Sequence, residues 1–126
     1  MTPSVPTEGE PRGLVLHVLA PEPGTEERVL RGAFRSAVNA QADLPSGTPL
    51  EIVVQGAAVV ALEAGSPLAG DVAGLERAGV GILACSNSLV SAGLDAARLM
   101  GGIAVASSAI GQVTQRQWLG WAYVRL

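Results

Sequence analysis

The sequence predicts an α/β fold, namely a three-layer α/β/α sandwich built on a five-stranded parallel sheet. Short apolar runs alternate along the chain with segments of helical periodicity. Connections of that length join parallel strands by right-handed crossovers and place helices on both faces of the sheet. Because 48% of the residues are hydrophobic but only 3% are aromatic, small aliphatic side chains have to build the core.

Two strands and the clearest amphipathic helix are predicted in the first half. Residues 14–20 (LVLHVLA) form an apolar run broken only by His17, which is typical of a strand buried on both faces. Thr25 is a predicted N-cap, and the helix after it carries apolar residues at helical spacing opposite a row of arginines. Residues 50–55 (LEIVVQ) form the second strand, which Gly56 ends.

The second half of the chain continues the alternation. Three further strands are predicted, at residues 80–84, 103–107 and 121–126. The predicted helical segments are a turn over 59–63, a helix with Pro67 at its first position that Gly79 ends, a helix from Ser86 or Ser88 to about Met100 with a break at Gly93, and a helix over 110–119.

The length of 126 residues is typical of one compact domain. We expect a flexible tail over residues 1–13 and a single domain over 14–126. The N-terminus carries Glu and Pro instead of a basic segment followed by an apolar one, so it does not resemble a targeting signal. Gly, Ser and Asn interrupt the longest uncharged stretch, which argues against a membrane span. The sequence therefore predicts a cytoplasmic protein.

Composition excludes several classes of partner and cofactor. A formal net charge of -3 without any Lys leaves no basic excess for a phosphate backbone, so we expect no nucleic-acid partner. One Cys and one His do not supply a metal site, and no glycine-rich phosphate loop is present. No metal and no cofactor are predicted.

Cys85 is the only cysteine, and it ends the third predicted strand. Ligands in parallel sheets gather at the carboxyl ends of strands, where the amides of Ser86, Asn87 and Ser88 would favour a thiolate. Free cysteine is also among the most buried residue types, so Cys85 has an equally ordinary interpretation as core packing. Both interpretations stay open from the residues alone.

His17 is the only histidine, and it lies inside the first predicted strand. It is either a core residue with satisfied hydrogen bonds or a proton carrier, since histidine titrates near neutral pH. Ser86 and Ser88 have no His or Asp partner nearby in sequence and are better interpreted as helix caps than as nucleophiles.

Three stretches carry a resemblance to a known family: LEIVVQGAAVVAL at 50–62, LERAGVGILACSNSL at 75–89 and GIAVASSAIGQVTQRQWLGWAYVRL at 102–126. The second contains an apolar strand followed by Cys85, Asn87 and Ser88 in the pattern A-C-x-N-S. The third ends in the pattern Q-x-x-G-aromatic-x-Y. Together they resemble the DsrE/DsrF-like (YchN-like) family of small sulfur-metabolism proteins over most of residues 14–126.

The resemblance implies the same five-stranded sheet, self-association into a trimer or hexamer, and a strand-end Cys that carries a persulfide in the sulfur-relay members. Cys85 is then the catalytic residue, and His17, which lies where such proteins often have a His, is an optional proton carrier. The implied binding residues are Gln55, Gly56, Ser86, Asn87 and Ser88. Family members often have a His where this chain has Gln55, which removes one candidate base.

Two hypotheses of function follow. In the first, the protein is a sulfur carrier or transferase that loads a persulfide on Cys85 and works with sulfur donor and acceptor proteins. In the second, it is a non-catalytic oligomeric module that binds a small molecule or anion at the strand ends, and Cys85 only packs.

Overall fold

The computed structural model describes residues 12–20 and 22–126. These residues form one sheet of five parallel strands in the order β4-β3-β2-β1-β5, which confirms the predicted fold class. The strands are β1 (Leu14–Leu19), β2 (Leu50–Gln55), β3 (Gly81–Cys85), β4 (Ile103–Ala106) and β5 (Ala122–Arg125). The helices are α1 (Glu26–Asp43), α2 (Ala69–Arg77), α3 (Ser86–Ala92) and α4 (Ala109–Trp118), with 3₁₀ helices at Gly56–Leu62 and Ala96–Arg98.

The strand order explains which face each helix covers. The chain moves one strand at a time from β1 to β4, then returns past all of them to place β5 beside β1. A right-handed crossover puts its helix on one face when the chain moves one way and on the other face when it reverses. Helices α1, α2 and α3 therefore share one face, and within the described residues α4 is the only helix on the opposite face, which we call the α4 face.

The hydrophobic core is divided by the sheet in the same way. The larger cluster joins the α1, α2 and α3 side chains to alternate residues of the central strands, such as Leu16, Ile52 and Ile82. The smaller cluster lies on the α4 face and consists of Val15, Val53, Cys85, Ala109 and Val113, with Trp121 and Tyr123 packed against it.

A partly buried ion pair fixes α4 on its face of the sheet. Arg116 donates from Nε and Nη2 to the two carboxylate oxygens of Glu51, at 2.9 and 2.7 Å, and Gln112 donates to the same carboxylate at 2.9 Å. The Arg116 guanidinium also lies 4.7 Å from the centre of the Trp121 ring. A two-pronged carboxylate contact is more specific in geometry than a single one, so α4 has a defined position.

The helices differ from the prediction in four places. Neither Ser86 nor Ser88 caps α3, because both lie inside the helix and Cys85 is its N-cap residue. The turn predicted at 59–63 is a 3₁₀ helix that begins earlier, at Gly56. Helix α2 begins at Ala69 rather than at Pro67, because the Ser66 hydroxyl accepts from the Leu68 amide in a preceding turn. The helix after Cys85 ends at Gly93, the predicted break, and only a 3₁₀ turn capped by Asp95 follows it.

The predicted tail, residues 1–13, lies outside the described residues except for Arg12 and Gly13. Gly13 is buried, and its carbonyl accepts a hydrogen bond of 2.9 Å from the Ala122 amide at the start of β5. None of the helices in the described part of the chain has the length and apolar character needed to span a membrane.

Candidate functional site

A crevice opens where β3 and β4 end. The connection after β3 runs to the three-helix face through α3, whereas the connection after β4 runs to the α4 face. Two neighbouring parallel strands whose connections diverge in this way leave a ligand-binding crevice outside their carboxyl ends. A pocket of about 510 Å³ occupies this position, and Cys85, Ser88, Ala109 and Gln55 are among the residues that line it. That volume accommodates a small molecule.

Cys85 is the last residue of β3 and the residue immediately before α3. Its exposed fraction is only 2%, yet it is one of the pocket-lining residues. Cys85 therefore lines the pocket with little of its surface exposed, so a small molecule reaches it more easily than a bulky one.

Four hydrogen-bond donors lie near the Cys85 sulfur. Burial raises the pKa of the Cys85 thiol. Hydrogen bonds from the Ser88 hydroxyl and from the backbone amides of Ser88, Ala109 and Asn87 lower the pKa by more than burial raises it, so the pKa lies below its usual value. Donors stabilise an anion more than a neutral thiol, which explains the direction. Two of these amides belong to the first turn of α3, and the Ala109 amide is the first of α4.

Ser88 owes its orientation to Gly56. The Gly56 amide donates to the Ser88 oxygen at 2.8 Å, which occupies an acceptor site of the hydroxyl and leaves its hydrogen for the Cys85 sulfur. Gly56 has a φ of +71°, a left-handed conformation that glycine adopts without strain. The turn after β2 therefore orients a side chain of the helix after β3, and that side chain donates to the Cys85 sulfur.

His17 is buried, and both of its ring nitrogens are occupied. Nδ1 lies 2.6 Å from the Tyr123 hydroxyl oxygen, and Nε2 lies 2.7 Å from Oε1 of Gln55. The hydrogen bonds connect β5, β1 and β2 on the α4 face. His17 does not line the pocket, but Gln55 does, so His17 acts on the pocket only through its neighbour.

Most of the predicted site residues are brought together by the fold. Gln55, Gly56, Asn87 and Ser88 line the same pocket as Cys85, whereas Ser86 and His17 do not. Asn87 contributes its backbone amide, and its side chain is exposed.

Sequence reasoning missed two contributors. The Ala109 amide reaches Cys85 because β4 pairs with β3 and Ala106 lies opposite Cys85 in the register. The only sign of it in the sequence was the end of the fourth predicted strand at Ser107. The carboxyl ends of parallel strands lie at the same edge of the sheet, so residues just after Ser107 are expected near the end of β3. Tyr123 was noted as part of the closing motif, but nothing in the sequence pairs β5 with β1.

Replacing Ser88 with Ala is expected to raise the pKa of Cys85, because the thiolate loses a hydrogen-bond donor. Alkylation by iodoacetamide follows the thiolate fraction, so its rate falls as the pH drops through the thiol pKa. In Ser88→Ala the whole rate profile should move to higher pH, with a rate at neutral pH lower by roughly tenfold. Stopped alkylation followed by mass spectrometry gives the profile.

Ser91→Ala is the matched control, since Ser91 lines the same pocket but is not among the groups that lower the pKa of Cys85. Its rate profile should overlay that of the wild type. If the two variants shift equally, or if Ser88→Ala does not shift at all, the Ser88 hydroxyl does not stabilise the thiolate.

The fold and the site define a class of small protein with one parallel sheet and a cysteine at the end of a central strand, below a strand-end pocket. Solved structures of the same architecture include a protein of unknown function, MTH1491 from Methanobacterium thermoautotrophicum. It is 36% identical, has a TM-score of 0.78, and the match covers 90% of this chain and 97% of that one. The chain belongs to the same family as MTH1491.

Two further structures share the fold at lower identity. The ychN protein from E. coli is 18% identical with a TM-score of 0.71, and the match covers 91% of this chain and 99% of that one. BT1422 from Bacteroides thetaiotaomicron, a conserved protein of unknown function, is 16% identical with a TM-score of 0.65 and coverages of 91% and 95%. The fold is therefore YchN-like. No protein-family model and no curated protein matches the chain.

Proposed function

We propose that the protein is a sulfur carrier in which Cys85 accepts a sulfane sulfur as a persulfide and passes it to an acceptor thiol. The observation that carries this proposal is the environment of the Cys85 sulfur. Four hydrogen-bond donors lower its pKa although it is buried, and it lines a pocket of small-molecule size. Core packing alone requires neither the donors nor the pocket, whereas a nucleophilic thiolate requires both.

The proposed transfer needs no cofactor and no net oxidation or reduction. The Cys85 thiolate attacks the outer sulfur of a donor R–S–S⁻, a new S–S bond forms, and the donor S–S bond breaks. The donor leaves as the thiolate R–S⁻ with the electron pair, and Cys85 holds a persulfide. An acceptor thiolate then attacks the outer sulfur and returns Cys85 to its thiolate form.

Resemblance to a known family supports sulfur transfer over the other reactions of a nucleophilic cysteine. The segment around Cys85 resembles that of the DsrE/DsrF-like family, in whose relay members the equivalent cysteine carries a persulfide. The YchN-like fold supports the same assignment at a coarser level. We extend this assignment to the present chain as a proposal.

The single cysteine determines what kind of partner the carrier needs. With no second thiol in the chain, a persulfide on Cys85 has no internal acceptor, so donor and acceptor have to be other molecules. A reducing compartment such as the cytoplasm would keep Cys85 available as a thiol.

Self-association into a trimer or hexamer is part of the proposal. The α4 region exposes three large apolar side chains, Ile110, Trp118 and Leu119, which are 58%, 67% and 56% exposed. Aromatic and aliphatic side chains grouped on a surface are typical of subunit contacts. Ile110 also lines the Cys85 pocket, so a second copy on this surface would narrow its entrance.

Mass spectrometry after incubation with a sulfane donor tests the carrier proposal. The reduced protein is incubated with polysulfide or with thiosulfate and then digested under conditions that preserve persulfides. The peptide with Cys85 is expected to gain one sulfur atom, and a small acceptor thiol should remove it. If Cys85 gains no sulfur while remaining open to alkylation in the same sample, the carrier proposal is wrong.

The second hypothesis, a binding module for a small anion, is favoured by one observation. The three backbone amides that meet at Cys85 would stabilise a bound anion as well as a thiolate. In that case Cys85 is a packing residue, and its removal would leave binding intact.

A further inference from the structure

A row of four side chains crosses the α4 face toward the pocket. Tyr123 of β5 pairs with Val15 of β1, and His17 is two residues further along β1. His17 pairs with Val53 of β2, and Gln55 is two residues further along β2. The pairing of β2 with β3 places Gln55 level with Cys85. Three of the four are joined by hydrogen bonds: Tyr123 to His17, and His17 to Gln55.

The hydrogen bond between His17 and Gln55 has only one possible direction. The Gln55 atom that faces the ring is the amide oxygen Oε1, 2.7 Å away, and it has no hydrogen to give. His17 Nε2 must therefore carry a hydrogen and donate it. In the neutral ring Nδ1 is then the acceptor, so the Tyr123 hydroxyl donates to it at 2.6 Å and keeps the hydrogen of the ring on Nε2.

With its oxygen on His17, Gln55 has its amide nitrogen turned away from the ring. Nε2 of Gln55 has no hydrogen-bond partner within residues 12–20 and 22–126. In the same residues no buried side-chain nitrogen or oxygen lacks a partner, so this nitrogen is open to solvent. Gln55 lines the pocket beside Cys85.

We propose that His17 is a positioning residue that holds Gln55 as a hydrogen-bond donor, and that the pocket thereby selects sulfur donors whose leaving group carries oxygen acceptors. An unrestrained glutamine amide rotates freely and presents oxygen or nitrogen alike. When the Tyr123 hydroxyl donates to Nδ1, the ring keeps its hydrogen on Nε2, and the rotated amide would set an N–H group against that hydrogen. This role rests on the carrier function proposed above and replaces proton transfer as the role of His17.

Thiosulfate is the simplest donor of this class. The Cys85 thiolate attacks its outer sulfur, the S–S bond breaks, and sulfite leaves with the electron pair, so that Cys85⁻ and thiosulfate give the Cys85 persulfide anion and sulfite. Charge and sulfur balance without another reactant. Gln55 Nε2–H, beside Cys85, donates to an oxygen of the leaving sulfite and stabilises the charge that develops there.

The test compares two alkylating reagents of nearly equal size, iodoacetate and iodoacetamide. Both modify Cys85, but only iodoacetate brings an anionic acceptor, so the ratio of the two rates reports the donor beside the sulfur. We expect His17→Leu and Gln55→Leu to lower the iodoacetate to iodoacetamide ratio by roughly tenfold relative to the wild type. His17→Gln, whose amide can still donate to Gln55 but cannot titrate, should keep the wild-type ratio.

Two results would overturn the proposal. One is a ratio in His17→Leu equal to that of the wild type, and the other is a fall in His17→Gln as large as that in His17→Leu, which a proton-carrying imidazole predicts. Because His17 is the only histidine, the ¹⁵N spectrum of the wild type gives an independent result without any variant. A hydrogen on Nε2 supports the proposal, and a hydrogen on Nδ1 alone contradicts it.

Failure of this inference differs from failure of the carrier function. The alkylation ratio involves no sulfur transfer, so a ratio that changes as expected in a protein that never gains sulfur refutes the carrier alone. Sulfur loading with a ratio that no variant changes refutes the positioning role alone.

Discussion

Cys85→Ser is expected to abolish sulfur loading completely while leaving the fold intact. Serine has nearly the shape of cysteine, and at this buried position its hydroxyl can accept the same hydrogen bonds from Ser88, Asn87 and Ala109. A hydroxyl is not appreciably ionised at neutral pH, so the nucleophile is lost although its surroundings persist. Mass spectrometry after incubation with polysulfide or thiosulfate measures the loss, and circular dichroism with light scattering checks the fold and the assembly.

The same variant separates the two hypotheses of function. Under the anion-binding hypothesis Cys85→Ser still binds its ligand, because the converging amides remain in place, and calorimetry with thiosulfate or sulfite would detect that binding. Under the carrier hypothesis the wild type gains covalent sulfur and Cys85→Ser does not, whereas under the anion-binding hypothesis neither protein gains it. Covalent loading that survives in Cys85→Ser would show that sulfur is attached elsewhere, and would contradict the assignment of Cys85.

A relocated thiol serves as the matched control. In the double variant Cys85→Ser with Ser91→Cys, a thiol returns to the pocket wall but lies outside the group of donors around residue 85. We expect this thiol to load much more slowly at neutral pH than Cys85, because its pKa is not lowered by those donors. Equal loading would show that any thiol in the pocket suffices and that the strand-end geometry contributes nothing.

Gly13→Ala is expected to destabilise the protein by about 2–5 kcal/mol of unfolding free energy. Gly13 has a φ of +143°, a conformation that residues with a side chain rarely adopt, and an added methyl group would overlap the Trp121 ring. Moving that ring also disturbs the Arg116 guanidinium stacked on it and the start of β5. Urea denaturation followed by tryptophan fluorescence measures the change.

Gly32→Ala is the control for the loss of a glycine. Gly32 lies in α1, is exposed, and has open space where a methyl group would be added. Alanine is the better helix former, so this variant should be as stable as the wild type or more stable by up to about 1 kcal/mol. Equal destabilisation by the two variants would mean that Trp121 does not pack on Gly13 as the structure has it.

The strands were the most predictable part of the fold. Buried parallel strands are short, continuous apolar runs, and LVLHVLA, LEIVVQ and IAVAS correspond to β1, β2 and β4 with ends that differ by a residue at most. Helix ends were harder to predict, since local hydrogen bonds decide them. The Ser66 turn delays α2, and Gly93 stops α3 before the apolar residues that suggested a longer helix.

The candidate site could be predicted in part. Cys85, Ser88 and Asn87 are neighbours in sequence, so their meeting at the end of β3 follows from local structure alone. Gln55 and Gly56 join them because β2 pairs with β3, and only the family resemblance implied a role for these two residues. Ala109 and Tyr123 reach the site through β4 and β5, whose places in the sheet no local pattern determines.

The sequence by itself determined the α/β class, the parallel sheet and the placement of the only cysteine at a strand end, because periodicity and strand-end position are local properties of the chain. The tertiary structure alone decided that α4 lies by itself on one face, that a crevice opens between β3 and β4, and that His17 holds Gln55. These features depend on the strand order β4-β3-β2-β1-β5. That order brings His17 and Tyr123 into contact across 106 positions of sequence, and contacts over such distances are determined by the packing of the whole chain rather than by any segment of it.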